Sequence, residues 1–220
     1  MISILTPSRS RPDRAKRMVD SAFKAPGCAI DIKFFLNEDD PMLEDYFEFL
    51  SPEQYIIGPN QSTCYSWNLM AETAQYDILF LVGDDAQFET DNWGQLILNA
   101  FDQYPDKIAC VYPRSPSIGK KKNPHFCLHK NWINTVGYFL PPSFYHWYVD
   151  KWIREVAIDV GRYHPLPEFI MVIEEKLRDG VKKSYCNSWM RQRDDWNWGR
   201  TKHHRMADVA LLKDYITNFK

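Results

Sequence analysis

Apolar positions along the chain fall into short dense runs, each closed by a polar loop. Residues 2–5 form a brief β run that ends in Thr6-Pro7-Ser8-Arg9-Ser10-Arg11-Pro12, where Pro and Ser mark a loop. Asp13 stands where a helix over residues 14–23 needs a cap. Residues 31–36 alternate and then turn wholly apolar, a second strand, closed by Asn37-Glu38-Asp39-Asp40-Pro41. A helix over 42–50 and a third strand over 55–57 follow. Gly58-Pro59-Asn60 breaks the chain, and Ser62 or Thr63 starts a helix that runs through Ala74. Residues 77–82 make the most apolar strand, expected at the centre of a sheet, and Gly83-Asp84-Asp85 ends it. A helix over 92–104 and a strand over 107–112 complete a β-loop-α alternation, which predicts a largely parallel sheet covered by helices.

After Pro113 the pattern loosens. Residues 115–124 read as a polar loop carrying Lys120, Lys121 and Lys122, and residues 126–140 as a strand pair or a strand plus a short helix. Pro141-Pro142 breaks the chain before an aromatic-rich helix over 145–160 and a strand over 168–173. Residues 184–200 fit no template, and an amphipathic helix over 207–218 closes the chain. No internal repeat or low-complexity linker divides the 220 residues, so one α/β domain is expected. Residues 1–115 would form its ligand-binding half, and 116–220 an acceptor-binding half with a closing segment.

Charge adds detail to this outline. The net charge is −2, which excludes a global field for nucleic acid, yet residues 37–53 are acidic and residues 176–205 basic. Five cysteines at irregular spacing form neither a metal pair nor a disulfide framework. With the strand-like start and no apolar run of membrane-spanning length, they lead us to expect a cytoplasmic protein. Aromatic residues are plentiful at 15% and suit either a core of large rings or a site for sugars and bases.

In an open α/β sheet, ligands bind beyond the carboxyl ends of the strands. Three such ends carry polar loops: residues 6–11, 37–40 and 83–85. Asp84-Asp85 is the sharpest feature. Two adjacent carboxylates after a buried strand repel one another and invite a hard cation, Mg²⁺ or Mn²⁺, whose shell phosphate and water would complete. The plainer reading is a solvated turn with Asp84 capping a helix.

Ser3-Ile4-Leu5-Thr6-Pro7-Ser8-Arg9 and Phe80-Leu81-Val82-Gly83-Asp84-Asp85, with the spacing between them, resemble family 2-type glycosyltransferases of the GT-A fold. Asn68 in Tyr65-Ser66-Trp67-Asn68 matches an Asn on the helix before that family's metal-binding strand. The resemblance covers residues 1–115 well and reaches weakly to about 160. It implies a Rossmann-like, mixed, mostly parallel sheet flanked by helices, and a nucleoside diphosphate sugar, UDP-sugar first, as donor. Thr6 and Pro7 would border the base with Ser8 in the same loop, Arg9 and Arg11 would lie near base or phosphate, and Asn37 would take the place of a base-contacting Asp. Asp84 would hold the ribose hydroxyls, or the metal through water, and Asp85 would ligate the metal. Two departures stand out. Val82 replaces the first Asp of the family's Asp-x-Asp, and the usual His ligand has Glu175 roughly in its place, with His203 or His204 further on. The acceptor base would be Asp150, among His146, Trp147, Tyr148 and Trp152.

Basic and aromatic residues interleave near the C-terminus: Arg191, Arg193 and Arg200 with Trp189, Trp196 and Trp198. They suit a phosphate backbone with unstacked bases, as the Lys120–Lys122 loop does, or closure over a pyrophosphate. Small transferases of this look also resemble phage-encoded ones, some of which modify hydroxymethylated DNA bases. DNA or a saccharide is therefore the expected acceptor, and the product inverted. The alternatives are a sugar nucleotidyltransferase and a non-catalytic nucleic-acid or glycan-binding module.

Overall fold

The computed structural model describes residues 1–118, 124–173 and 188–219. The first half runs β1 (Ile2–Ser8), α1 (Pro12–Lys24), β2 (Ile30–Asn37), α2 (Leu43–Tyr46), β3 (Tyr55–Gly58), α3 (Thr63–Thr73), β4 (Ile78–Leu81), β5 (Ala86–Phe88) and α4 (Trp93–Asp102). The second runs β6 (Cys110–Arg114), β7 (Phe126–His129), α5 (Lys130–Val136), α6 (Val149–Asp159), β8 (Tyr163–Ile173), α7 (Ser188–Arg200) and α8 (Lys202–Asn218). The strands form one eight-stranded sheet in the order β3-β2-β1-β4-β7-β6-β8-β5. Strands β3, β2, β1 and β4 are mutually parallel, and β8 is parallel to β6. Antiparallel β7 is wedged between β4 and β6, and antiparallel β5 closes the far edge against β8. The sheet is thus mixed and mostly parallel, as expected. The two antiparallel insertions are what the strand-by-strand reading did not foresee.

Alternation along the strands sorts the core into two layers. Ile4, Phe34, Phe80 and Val82 face α1 and α4, which bring Ala15, Met18, Ile97 and Phe101. Leu5, Phe35, Leu79 and Leu81 face α3, α6 and α8, with Trp67, Met70, Trp152 and Leu212. Burial on both faces explains why these strands read as continuous apolar runs.

Several expected boundaries shift for local reasons. Asp13 does not cap α1. Arg11 is the N-cap residue and makes no side-chain cap, while Pro12, its φ preset for a helix, takes the first turn with Asp13. The helix expected over 42–50 contracts to α2, four residues long. Ser62 does cap α3, accepting from the Tyr65 N–H at 3.0 Å. The helix expected from residue 145 begins only at Val149, because the backbone N–H groups of 145–147 are committed elsewhere, as described below. The segment that fitted no template contains α7.

Candidate functional site

The loops after β1, β2 and β4 meet at one edge of the sheet, and hydrogen bonds tie them together. Ser10 adopts a left-handed φ of 54°, uncommon outside glycine. Asp40 holds it there, accepting from the Ser10 N–H at 2.7 Å and from its hydroxyl at 2.9 Å. Arg9 pairs with Asp39 and also donates to the Asp39 carbonyl at 3.1 Å. Asn37 sits half-buried at the end of β2, its carbonyl accepting from the Asp40 N–H at 3.0 Å. Pro7 is half-buried, whereas Thr6 lies fully buried beneath the rim, its hydroxyl without a hydrogen-bond partner.

Asp84 is the centre of this edge. It is 2% exposed; Ser8 donates to Oδ2 at 2.6 Å, and the Arg11 guanidinium lies 2.8 Å from Oδ1. Tyr46 shares its hydroxyl with Ser8 at 2.7 Å and accepts from the Arg11 N–H at 3.0 Å. Burial pushes the Asp84 carboxyl up to about 6, against the opposing pull of Arg11; the neighbouring Asp85 raises it further, and Ser8 lowers it. Both Asp84 oxygens are thus committed to protein donors, while half-buried Asp85 stands beside it at the rim.

His125, which sequence reasoning missed, completes the turn. Its Nε2 accepts from the Gly83 N–H at 3.2 Å, and the ring is 3% exposed. Burial lowers its pKa to about 4, with Asp85 pulling the other way, so the ring is neutral at pH 7. Gly83 is needed for close approach: a Cβ there would lie 2.7 Å from Asp85 Oδ1 and 3.3 Å from His125 Nε2. No group of three His, Cys, Asp or Glu able to hold a metal occurs among the described residues. His204 lies exposed on α8, its ring against His203; Glu175 lies outside the described residues. Asp85 alone still fits Mg²⁺ or Mn²⁺, which bind through one or two carboxylates and take the rest from phosphate and water.

A second group of residues surrounds the start of α6. Asp194 of α7 has no exposure, and its carboxylate accepts three consecutive N–H groups, from Tyr145, His146 and Trp147, each at 2.9 Å. The same helix bonds Ser143 O through Asn197 at 2.6 Å, engages the Tyr148 hydroxyl through Asp195, and stacks Trp198 on Tyr148. The strap so formed presents His146, which bonds the Thr63 hydroxyl at 3.1 Å, and leads into Asp150 in the first turn of α6. The His146 ring keeps accessible surface although protein packs around it. That crowding lowers its pKa; Asp194 and Asp150 oppose the shift, and Arg11 reinforces it. His146 therefore feels Arg11 of the first group and Asp150 of the second.

The remaining candidates fall elsewhere. The Asn68 amide is spent on backbone: Oδ1 accepts from Phe139 N and Leu140 N, and Nδ2 donates to Leu140 O, all at 2.9 Å. Trp147 is half-buried with Arg191 above its ring, while Arg193 covers Tyr145 and Arg200 covers Trp196. All three arginines are exposed along α7. Lys120, Lys121 and Lys122 lie outside the described residues.

No family model and no curated protein matches the sequence. Solved structures do. The mannosyltransferase PcManGT from Pyrobaculum calidifontis, in complex with GDP-Man and Mn²⁺, aligns with a TM-score of 0.61 at 11% identity, over 98% of this chain and 72% of that one. S. aureus TarS residues 1–349, in complex with UDP-GlcNAc, aligns with a TM-score of 0.58 at 10% identity, over 83% of this chain and 61% of that one. A putative glucose-1-phosphate thymidylyltransferase from Bacillus anthracis reaches 0.51 at 10% identity, over 76% and 86%. The chain has the GT-A-type fold of nucleotide-sugar transferases, and no helix among the described residues is long and apolar enough to cross a membrane.

Proposed function

We propose that the chain is a glycosyltransferase that moves a sugar from a nucleoside diphosphate sugar, UDP-sugar first, to a hydroxyl acceptor with inversion. The observation that carries this reading is the carboxylate pair Asp84-Asp85 at the carboxyl end of β4, joined to the β1 loop through Ser8 and Arg11. Arg9, Arg11 and Asn37 would line the donor. Asp85 would hold Mn²⁺ or Mg²⁺, which when bound neutralises charge on the diphosphate leaving group. Arg11 adds a fixed cation on the same side. Asp150 would take the proton from the acceptor hydroxyl as its oxygen bonds to the anomeric carbon and the sugar–phosphate bond breaks. We read the protein as cytoplasmic, a setting in which its four described free cysteines would persist.

The alternative of a sugar nucleotidyltransferase has a neighbour of that kind in its favour. Against it, the β1 loop, residues 6–12, lacks the glycines that such enzymes use there. The exposed arginine–ring pairs of α7 suit a phosphate-bearing acceptor, DNA with hydroxymethylated bases among the candidates. Hydrolysis and transfer of UDP-, GDP-, CDP- and dTDP-sugars, with and without Mn²⁺, test the activity. Metal-dependent release of nucleotide that is lost in Asp85→Ala supports it, and no turnover with any donor refutes it. Filter binding of hydroxymethylated and plain duplexes tests the acceptor, with a slope of about −0.9 in log K per phosphate contacted against log salt. Absence of binding at low salt removes DNA.

A further inference from the structure

Arg154, in the second turn of α6, is 5% exposed, and its Nε and Nη1 are buried without a hydrogen-bond partner. Three half-buried arginines are matched: Arg11 with Asp84, Arg162 with Asp106, Arg205 with Glu155 and the rings of Trp152 and Trp198. A guanidinium cannot shed its charge, and holding it out of water without a counter-charge is costly. Cys110, Tyr112 and Tyr163 feel the Arg154 charge. Burial raises the pKa of all three, so each is a neutral donor at pH 7 and none is the missing anion.

The donors also converge. The Tyr112 and Tyr163 rings lie 5.1 Å apart; the Tyr112 hydroxyl bonds the Cys110 thiol and donates a long 3.4 Å bond to the Asp150 carbonyl. Asp150 and Arg154 are four residues apart on α6, so they share a face and stand about 6 Å apart along its axis. The Asp150 charge is felt by Tyr112, but among the described residues no carboxylate pairs with the Arg154 guanidinium; its fork and the two phenols are donors, and a phosphate group accepts from such groups.

We infer that Arg154, with Tyr112 and Tyr163, forms an anion subsite that takes a phosphate group on the acceptor, one helical turn from Asp150. The site stands on the unpaired guanidinium; its assignment to the acceptor rests on the transferase reading above. The acceptor would then be a phosphorylated hydroxyl compound, with its phosphate fixed by Arg154 and its free hydroxyl directed to Asp150.

The test uses the full chain labelled with ¹⁵N-arginine, the Arg154 Nε–H resonance being assigned by its loss in Arg154→Lys. Inorganic phosphate should shift that resonance saturably. It should also raise the melting temperature of the parent but not of Arg154→Met, which without phosphate should melt no lower than the parent. In transfer assays, a hexose 6-phosphate should be preferred over the hexose by roughly tenfold or more in kcat/KM, and Arg154→Met should erase that preference. An unmoved Nε–H resonance overturns the subsite, as does an equal response of parent and Arg154→Met to phosphate. A shifted resonance without transfer from any donor leaves the subsite standing and removes the transferase reading. Transfer without preference for the phosphorylated acceptor does the reverse for the acceptor assignment.

Discussion

Removing the carboxylate of Asp194 should loosen the strap in front of α6 without touching the β1–β4 edge. Its three acceptor bonds of 2.9 Å join an unexposed charge to three neighbouring N–H groups. Hydrogen bonds to a charged group are each worth about 1.5–3 kcal/mol net, which for three sums to roughly 5–9 kcal/mol. The desolvation of the carboxylate offsets several kcal/mol of this, and water can reach the freed N–H groups once α7 lifts. The expected net cost of Asp194→Ala is therefore about 3 kcal/mol. Asp194→Asn keeps one acceptor oxygen and should lose about 1–2 kcal/mol. Urea unfolding followed by Trp fluorescence gives the global values, with Trp147, Trp152 and Trp198 close to the strap. Trypsin under native conditions reports on α7, where Arg191 and Arg193 should become cleavable. An alanine variant within about 0.5 kcal/mol of the parent, still resistant to trypsin, would show that the strap needs no carboxylate.

Asp84 and His125 should act oppositely on stability below pH 7. Asp84, raised to about 6, contributes stability that is lost as pH rises through that value; His125, lowered to about 4, contributes stability that is lost as pH falls through it. Each amounts to roughly 3 kcal/mol, so they should nearly cancel in the parent. Asp84→Asn should then lose stability from about pH 6.5 to 4 and His125→Asn should gain it, and two flat melting profiles would contradict both shifts. Asp150→Asn should keep donor affinity while transfer falls by a factor of about 10²–10⁴, and near-parental transfer would move the base elsewhere. Asn68→Ala should cost about 2–3 kcal/mol by freeing the backbone of residues 139–140 and leave donor affinity unchanged; weakened donor binding at unchanged stability would put Asn68 in the site instead.

The meeting of the β1, β2 and β4 loops at one edge was legible because its parts are local. Three apolar runs end in polar loops, and parallel packing brings those ends together whatever their separation in the chain. The partners that finish the site were not legible. Tyr46 meets Ser8 across 38 positions, His125 meets Gly83 across 42, and Asp194 meets Tyr145 across 49, so no local pattern marks them. Strand β7 was legible as the strand of a strand-plus-helix segment, though not its antiparallel direction; β5 escaped because three residues are too few to show a period. Asp194 also hid the start of α6, since its carboxylate satisfies N–H groups that an aromatic-rich run was expected to place in a helix.

The wedging of β7 between β4 and β6 has a consequence during synthesis. Once β1, β2, β3 and β4 have left the ribosome they can pair with one another, but the outer edge of β4 has no partner until Phe126–His129 emerges. That delay is roughly 50 residues, several seconds at ordinary elongation rates. Throughout it, a four-residue edge made only of Ile, Leu and Phe stands open to any other extended chain, the arrangement that mature sheets guard with charges, bulges or prolines. A fragment ending before residue 126 is therefore expected to aggregate through that edge, and one extended through His129 to remain dispersed.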